Sequence, residues 1–138
     1  MRNKAMNILL VDDDTVDVMS ARRAFHKANP ALPMWTAGDG VEALERLRSD
    51  ALPAANRVVL LDLNMPRMNG IEFLRELRAD PALSTTPVVV LTTSAERRDL
   101  DDAFGLHVAG YFVKPIAFGD LVTLAASLHD YWSRVERP

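Results

Sequence analysis

The 138-residue sequence contains no cysteine. Disulfides and thiolate metal sites are therefore excluded, and any metal must be held by oxygen or imidazole. Histidine is nearly as scarce: His26, His107 and His129 lie far apart and without ligand spacing. No apolar run approaches the roughly 20 residues that span a bilayer, and the opening MRNKAM lacks the apolar stretch of a signal peptide. A cytoplasmic protein with no membrane partner is expected. An excess of positive charge is missing too. Sixteen Lys and Arg against nineteen Asp and Glu give a net charge of −3, and the basic residues are scattered, which argues against a nucleic-acid surface. Repeats, low-complexity tracts and linker-like stretches are absent. What remains is 49% hydrophobic and 25% charged, an ordinary globular composition whose length suits one domain over residues 1–138.

Apolar, β-branched runs alternate with longer amphipathic segments, the pattern of a doubly wound α/β fold with helices on both faces of a parallel sheet. Strands are predicted at residues 7–11 (NILLV), 34–36 (MWT), 57–61 (RVVLL), 88–91 (VVVL) and 110–113 (GYFV). The runs at 58–61 and 88–91 are apolar without alternation, as central strands covered on both sides should be. Helices are predicted at 15–28, 40–48, 70–78, 95–104 and 118–134. In the first, Val16, Met19, Ala24 and Phe25 stand at roughly helical spacing, and Asp14 and Asp17 are placed as a capping box. Pro30, Pro53, Pro66, Pro81, Pro87 and Pro115 fall at or beside these boundaries.

Ligands of an open parallel sheet bind beyond the carboxyl ends of its strands, so the residues after each strand carry the functional information. Asp12, Asp13 and Asp14 follow the first strand, Asp62 the third, Thr92, Thr93 and Ser94 the fourth, and Lys114 and Pro115 the fifth. Carboxylates this close repel. Without a counter-ion at least one should keep its proton through a raised, coupled pKa. Magnesium resolves that conflict, being a hard ion suited to carboxylates, waters and phosphate oxygens. A carboxylate is also a competent nucleophile toward a phosphoryl group. Lys114 and Thr92 are placed to hold the oxygens of such a group, supplying the positioning and charge neutralisation that phosphoryl transfer requires.

The motifs VDD after strand one, LLDLNMPRMNG around strand three, PVVVLTTSA through strand four and GYFVKP through strand five resemble the receiver domain of two-component response regulators. The resemblance covers nearly the whole chain, with the motifs in the family's order and spacing. It implies a five-stranded, flavodoxin-like sheet of order 2-1-3-4-5. Asp62 matches the phosphoacceptor, loaded from a phosphohistidine on a sensor histidine kinase. Asp13 and Asp62 match direct ligands of Mg2+ (or Mn2+), Asn64 a ligand through its backbone carbonyl, and Asp12 a ligand through water. Thr92 matches the switch hydroxyl, Lys114 the phosphate-binding lysine and Tyr111 the switch aromatic. The resemblance also implies a cis Lys114–Pro115 bond, a type of bond tolerated at proline.

Blander roles suit other residues. Asp14 is expected to cap the first helix, and one of Thr92, Thr93 and Ser94 to begin the fourth. Thr93 and Ser94 are expected to cap that helix or to line the pocket mouth. Gly70 and Gly110 read as structural, and Glu42, Glu45, Arg46 and Arg48 as a solvated helix face. The chain stops soon after its fifth helix, so output is expected through a surface formed by helix four, strand five and helix five. Phe118, Leu121, Leu124, Ala125, Leu128, Trp132 and Val135 form one apolar stripe on the last helix, and the extended tail over 118–138 either covers the domain's own core or meets a partner subunit. The LTTS segment and this tail resemble the stand-alone regulators paired with bacterial and cyanobacterial phytochromes, several of which dimerise. The enzymatic alternative is a phosphatase of the haloacid-dehalogenase type, but that family places a second aspartate two residues after its nucleophile, where this chain has Asn64. A phosphorylation-independent scaffold would lose the acceptor or the acidic pair, and both are retained.

Overall fold

The computed structural model describes residues 6–135. Five strands, β1 (Asn7–Val11), β2 (Met34–Ala37), β3 (Arg57–Leu61), β4 (Val88–Thr92) and β5 (Gly110–Val113), alternate with five helices: α1 (Thr15–Ala28), α2 (Gly40–Arg48), α3 (Gly70–Ala79), α4 (Arg97–Gly105) and α5 (Phe118–Arg134). All strand pairs are parallel, in the order β2-β1-β3-β4-β5. This is the expected flavodoxin-like receiver topology. The first five residues (MRNKA) and the last three residues of the anticipated tail lie outside the described residues.

Successive side chains of a strand point to opposite faces, and that alternation divides the core in two. Leu9, Val11, Val59, Leu61, Val88 and Val90 face α2, α3 and α4. Ile8, Leu10, Val58, Leu60, Val89 and Leu91 face α1 and α5. With both faces covered, β3 and β4 are buried almost throughout, which is why their sequences show no polar alternation.

Trp132 is buried in the α1/α5 side of this chain's own core, so that residue of the tail covers the domain's own core. Leu121 and Ala125 are buried beside it, with Leu124 and Leu128 partly so. Phe118 departs from the expected stripe. It is 36% exposed, and its ring lies under the Arg23 guanidinium and the Lys27 ammonium at 5.5 and 6.0 Å.

The start of α4 is also corrected. It begins at Arg97, not at residue 95, and its N-cap, Glu96, makes no side-chain cap bond. No hydroxyl begins that helix: Ser94 Oγ donates instead to Asp99 Oδ2 at 2.5 Å. Asp14 caps α1 as expected, accepting from the Val16 and Asp17 amides. The reciprocal half of the capping box is not made. The Asp14 amide donates to Asp12 Oδ1 at 2.9 Å, and the Asp17 carboxylate is engaged elsewhere.

Candidate functional site

The sheet reverses its order of growth between β1 and β3, and a crevice opens at such a switch point. Val11 pairs with Leu61, so the next residues of the two strands, Asp12 and Asp62, stand side by side at that crevice. The Asp12 amide is anchored to the Ala37 carbonyl at 3.0 Å and the Asp62 amide to the Val11 carbonyl at 2.9 Å. Asp13 follows at the exposed rim. One carboxylate oxygen from each of Asp12, Asp13 and Asp62 lies within 4.8 Å of the others. Two of these acids, Asp12 and Asp62, are buried.

A fifth-strand cation meets them. Thr92 pairs with Val113, and the Lys114 amide donates to the Thr92 carbonyl at 2.7 Å, which aims the lysine back across the strand ends. The Lys114–Pro115 bond is cis. Lys114 Nζ lies 2.7 Å from Asp12 Oδ2, 2.8 Å from Asp17 Oδ2 and 3.9 Å from Asp62 Oδ2. The first two are hydrogen-bonded ion pairs, whereas the third is too long for a hydrogen bond.

The electrostatics follow from this geometry. Burial pushes the Asp12 carboxyl above its ordinary range, outweighing the Lys114 hydrogen bond that pulls it down; repulsion from Asp62 adds to the rise. Burial alone would lower Lys114, but hydrogen bonds to Asp12 and Asp17 more than offset it, leaving the ammonium raised and charged. One acid of the cluster is thus raised, as expected of crowded carboxylates, but burial is the main cause and repulsion from Asp62 a minor one.

Around the acids sit hydroxyls and amides. Thr92 is fully buried, and its Oγ1 accepts from the Ser94 amide at 3.3 Å. The Asn64 amide donates to Asp62 Oδ1 at 3.2 Å, and Asn64 Nδ2 donates to Thr93 Oγ1 at 3.1 Å. Thr93 therefore ties the β3–α3 loop to the β4–α4 loop at the pocket mouth. Tyr111 is half-buried and donates its hydroxyl to the Ser94 carbonyl at 2.9 Å, while burial pushes its phenol up. Its ring stacks on Phe104 of α4 at 6.5 Å between centroids. The structure thus gathers Asp12, Asp13, Asp62 and Lys114 at one point, with Thr92 at the end of β4, Asn64 on the β3–α3 loop and Tyr111 in β5 around it.

Two contributors were not singled out in the sequence. Asp17 was assigned to capping, although its place one turn into α1, after a strand-end acidic triplet, puts it beside the site. Asp39 is the other. It caps α2 by accepting from the Glu42 amide at 2.9 Å, and it takes Arg67 Nε at 2.7 Å. Arg67 belongs to the β3–α3 loop and has φ 60°, so this ion pair pins a left-handed turn five residues beyond Asp62. Gly70 then lets α3 approach: a Cβ there would meet Leu63 Cα at 2.6 Å and the Asp62 carbonyl oxygen at 2.7 Å.

Residues 8–126 match the family model of the response regulator receiver domain. The chain belongs to the response regulator receiver family. Among its relatives, a probable methanogenesis regulatory protein, FilR2, of Methanothrix harundinacea is 38% identical over 130 residues, covering 91% of this chain and 82% of that one. Response regulator Rcp1 of Synechocystis sp. is 32% identical over 129 residues, covering 91% and 87%. The Mn(2+)-bound form of Rcp1 superposes with a TM-score of 0.78, at 29% identity over 96% of this chain and 99% of that one. The phosphorylated cyanobacterial phytochrome response regulator RcpA superposes with a TM-score of 0.79, at 31% identity over 96% and 97%. A receiver's acidic cluster is a divalent-metal site by chemistry, and the oxygen-only donor set found here fits a hard cation.

Proposed function

We propose that this response regulator is a single-domain phosphoacceptor switch whose loaded residue is Asp62. A carboxylate oxygen of Asp62 forms the new bond to phosphorus as the bond from phosphorus to the imidazole nitrogen of a kinase phosphohistidine breaks. The observation that carries this reading is the cluster itself: three aspartates within 4.8 Å of one another and a lysine 3.9 Å from Asp62. Asp13 and Asp62 would hold Mg2+ directly, Asp12 through water, and Asn64 through its backbone carbonyl. When bound, the ion neutralises the carboxylates and the oxygens of the arriving group; Mn2+ could replace it, as the Mn(2+)-bound form of Rcp1 suggests. Lys114 takes one phosphoryl oxygen as a point charge, and the Thr92 hydroxyl donates to another.

Thr92 must turn toward the phosphoryl group to do so, and that movement transmits the signal. It gives up the Ser94 amide, and Tyr111, hydrogen-bonded to the neighbouring Ser94 carbonyl, moves with the loop. The result is a population shift between two packings, biased by new charge-assisted hydrogen bonds. The affected surface is α4, β5 and α5, where Phe104, Phe112 and Val113 are 49%, 40% and 44% exposed. A homodimer formed through this face fits an apolar patch of that kind. By likeness to the phytochrome response regulator RcpA, the kinase is a phytochrome, and the switch works in the cytoplasm. The chain acts as a switch and turns over no substrate other than its own phosphoryl group.

The test loads the protein with acetyl phosphate and Mg2+ and follows intact mass. Wild type should gain one phosphoryl group, and neither Asp62→Asn nor wild type in excess EDTA should gain any. Loading of Asp62→Asn at the wild-type rate would refute the assignment. Size-exclusion chromatography of the same samples reads whether loading drives dimer formation.

A further inference from the structure

We infer that Asp17 is a positioning residue that holds Lys114 away from Asp62 and so opposes loading; this rests on the phosphoacceptor reading above. An ammonium has three donors. Here two are committed, to Asp12 Oδ2 at 2.7 Å and to Asp17 Oδ2 at 2.8 Å, while Asp62 is 3.9 Å away. Loading replaces the single charge of the Asp62 carboxylate with the two of an acyl phosphate, one more negative charge beside a cation already shared among three carboxylates. Every favourable contact made in the unloaded state that the loaded state weakens shifts the balance toward the unloaded one.

The two existing ion pairs are unequal. The Asp12 side chain is 6% exposed and the Lys114 side chain 12%, whereas that of Asp17 is 39% exposed. Water competes for Asp17, so its pair is the one that yields. Room for the exchange is present. A hollow of about 110 Å³ lies beside the ammonium, lined by Asp17, Ser20, Asp62, Lys114 and Ile116 among others. The helix also leaves Asp17 free for this contact, because Asp14 caps α1 with its own side chain and the Asp14 amide is already taken by Asp12. The first turn of α1 thereby supplies a competing anchor, and the lysine moves between two acids when Asp62 is loaded.

The experiment measures the affinity for beryllofluoride, a phosphoryl mimic, at fixed Mg2+ and fluoride by fluorine NMR, in wild type and in Asp17→Asn, Asp17→Glu and Asp14→Asn. Asp17→Asn should bind about two- to fivefold more tightly, the effect of releasing one partly solvated ion pair. Asp17→Glu, which restores an acid able to reach Lys114, should bind as wild type does. Asp14→Asn removes one charge from the same turn and keeps a good cap, so it should also bind as wild type. Unchanged or weaker binding in Asp17→Asn overturns the inference, as does equal tightening in Asp14→Asn or in Asp17→Glu. If wild type itself binds none, the phosphoacceptor reading fails, which is a different result from a wild type that binds and a variant that does not differ.

Discussion

Asp39 shows how much one side chain on the rim of the sheet can hold in place. One oxygen caps α2 and the other takes Arg67, and that hydrogen bond keeps the carboxyl below its usual range against the burial that would raise it. A depressed folded-state pKa means that the unfolded chain binds more protons in acid. The stabilisation is therefore present above the unfolded value of about 3.9 and is lost as pH falls through the folded one. Asp39→Asn keeps a capping oxygen but loses the charge. It should be less stable than wild type at pH 7, and the gap should begin to narrow as the pH falls below about 4 and close only below the lower folded-state value; urea denaturation across a pH series reads this. Asp39→Ala also loses the cap and should cost about 1 kcal/mol more. The sequence made Asp62 legible because an acid ends an apolar strand. Nothing comparable flags Asp39, whose partner Arg67 lies 28 residues away.

Helix starts were legible where the cap is a side chain of the usual kind. Asp14 precedes α1 and accepts two of its amides; Asn69 precedes α3 and makes a complete capping box with Glu72. The start of α4 was not, because Thr92, Thr93 and Ser94 look like caps yet are occupied with Asn64, Asp99 and neighbouring amides. Two glycines in helical first turns test the packing at opposite extremes. Gly70→Ala forces a Cβ onto the Leu63 and Asp62 backbone. It should destabilise the fold by about 1–3 kcal/mol and slow Asp62 loading, since the carbonyl it pushes belongs to the acceptor residue. At Gly119 a Cβ would meet nothing within 4 Å, so Gly119→Ala should stabilise by about 0.5–1 kcal/mol. Thermal and urea denaturation of the two variants should move in opposite directions.

Over the whole molecule, the two-sided core leaves α5 packed on α1 and β5 at the edge of the sheet with Phe112 and Val113 facing outward. Trp132 anchors the end of α5 in the same core as Met6 and Phe25. Trp132→Ala should therefore lose about 3–5 kcal/mol, and the loss should be independent of protein concentration. A Trp132 that instead served a subunit interface would give a wild type whose melting temperature rises with protein concentration and a variant in which that dependence is lost. Among the described residues no helix is long and apolar enough to cross a membrane, consistent with the lack of a long apolar run.

The sequence by itself determined the alternation of strands and helices, the burial of β3 and β4 and the identity of the strand-end acids, because hydrophobic period and chain-order motifs are local properties. Only the tertiary structure decided which acids share Lys114, that Phe118 faces solvent while Trp132 does not, and that Asp17 belongs to the site rather than to a cap. Those outcomes depend on how helices lie against the sheet and on distances between residues as many as 102 positions apart. Such through-space energies are set by packing, and no periodicity along the chain encodes them.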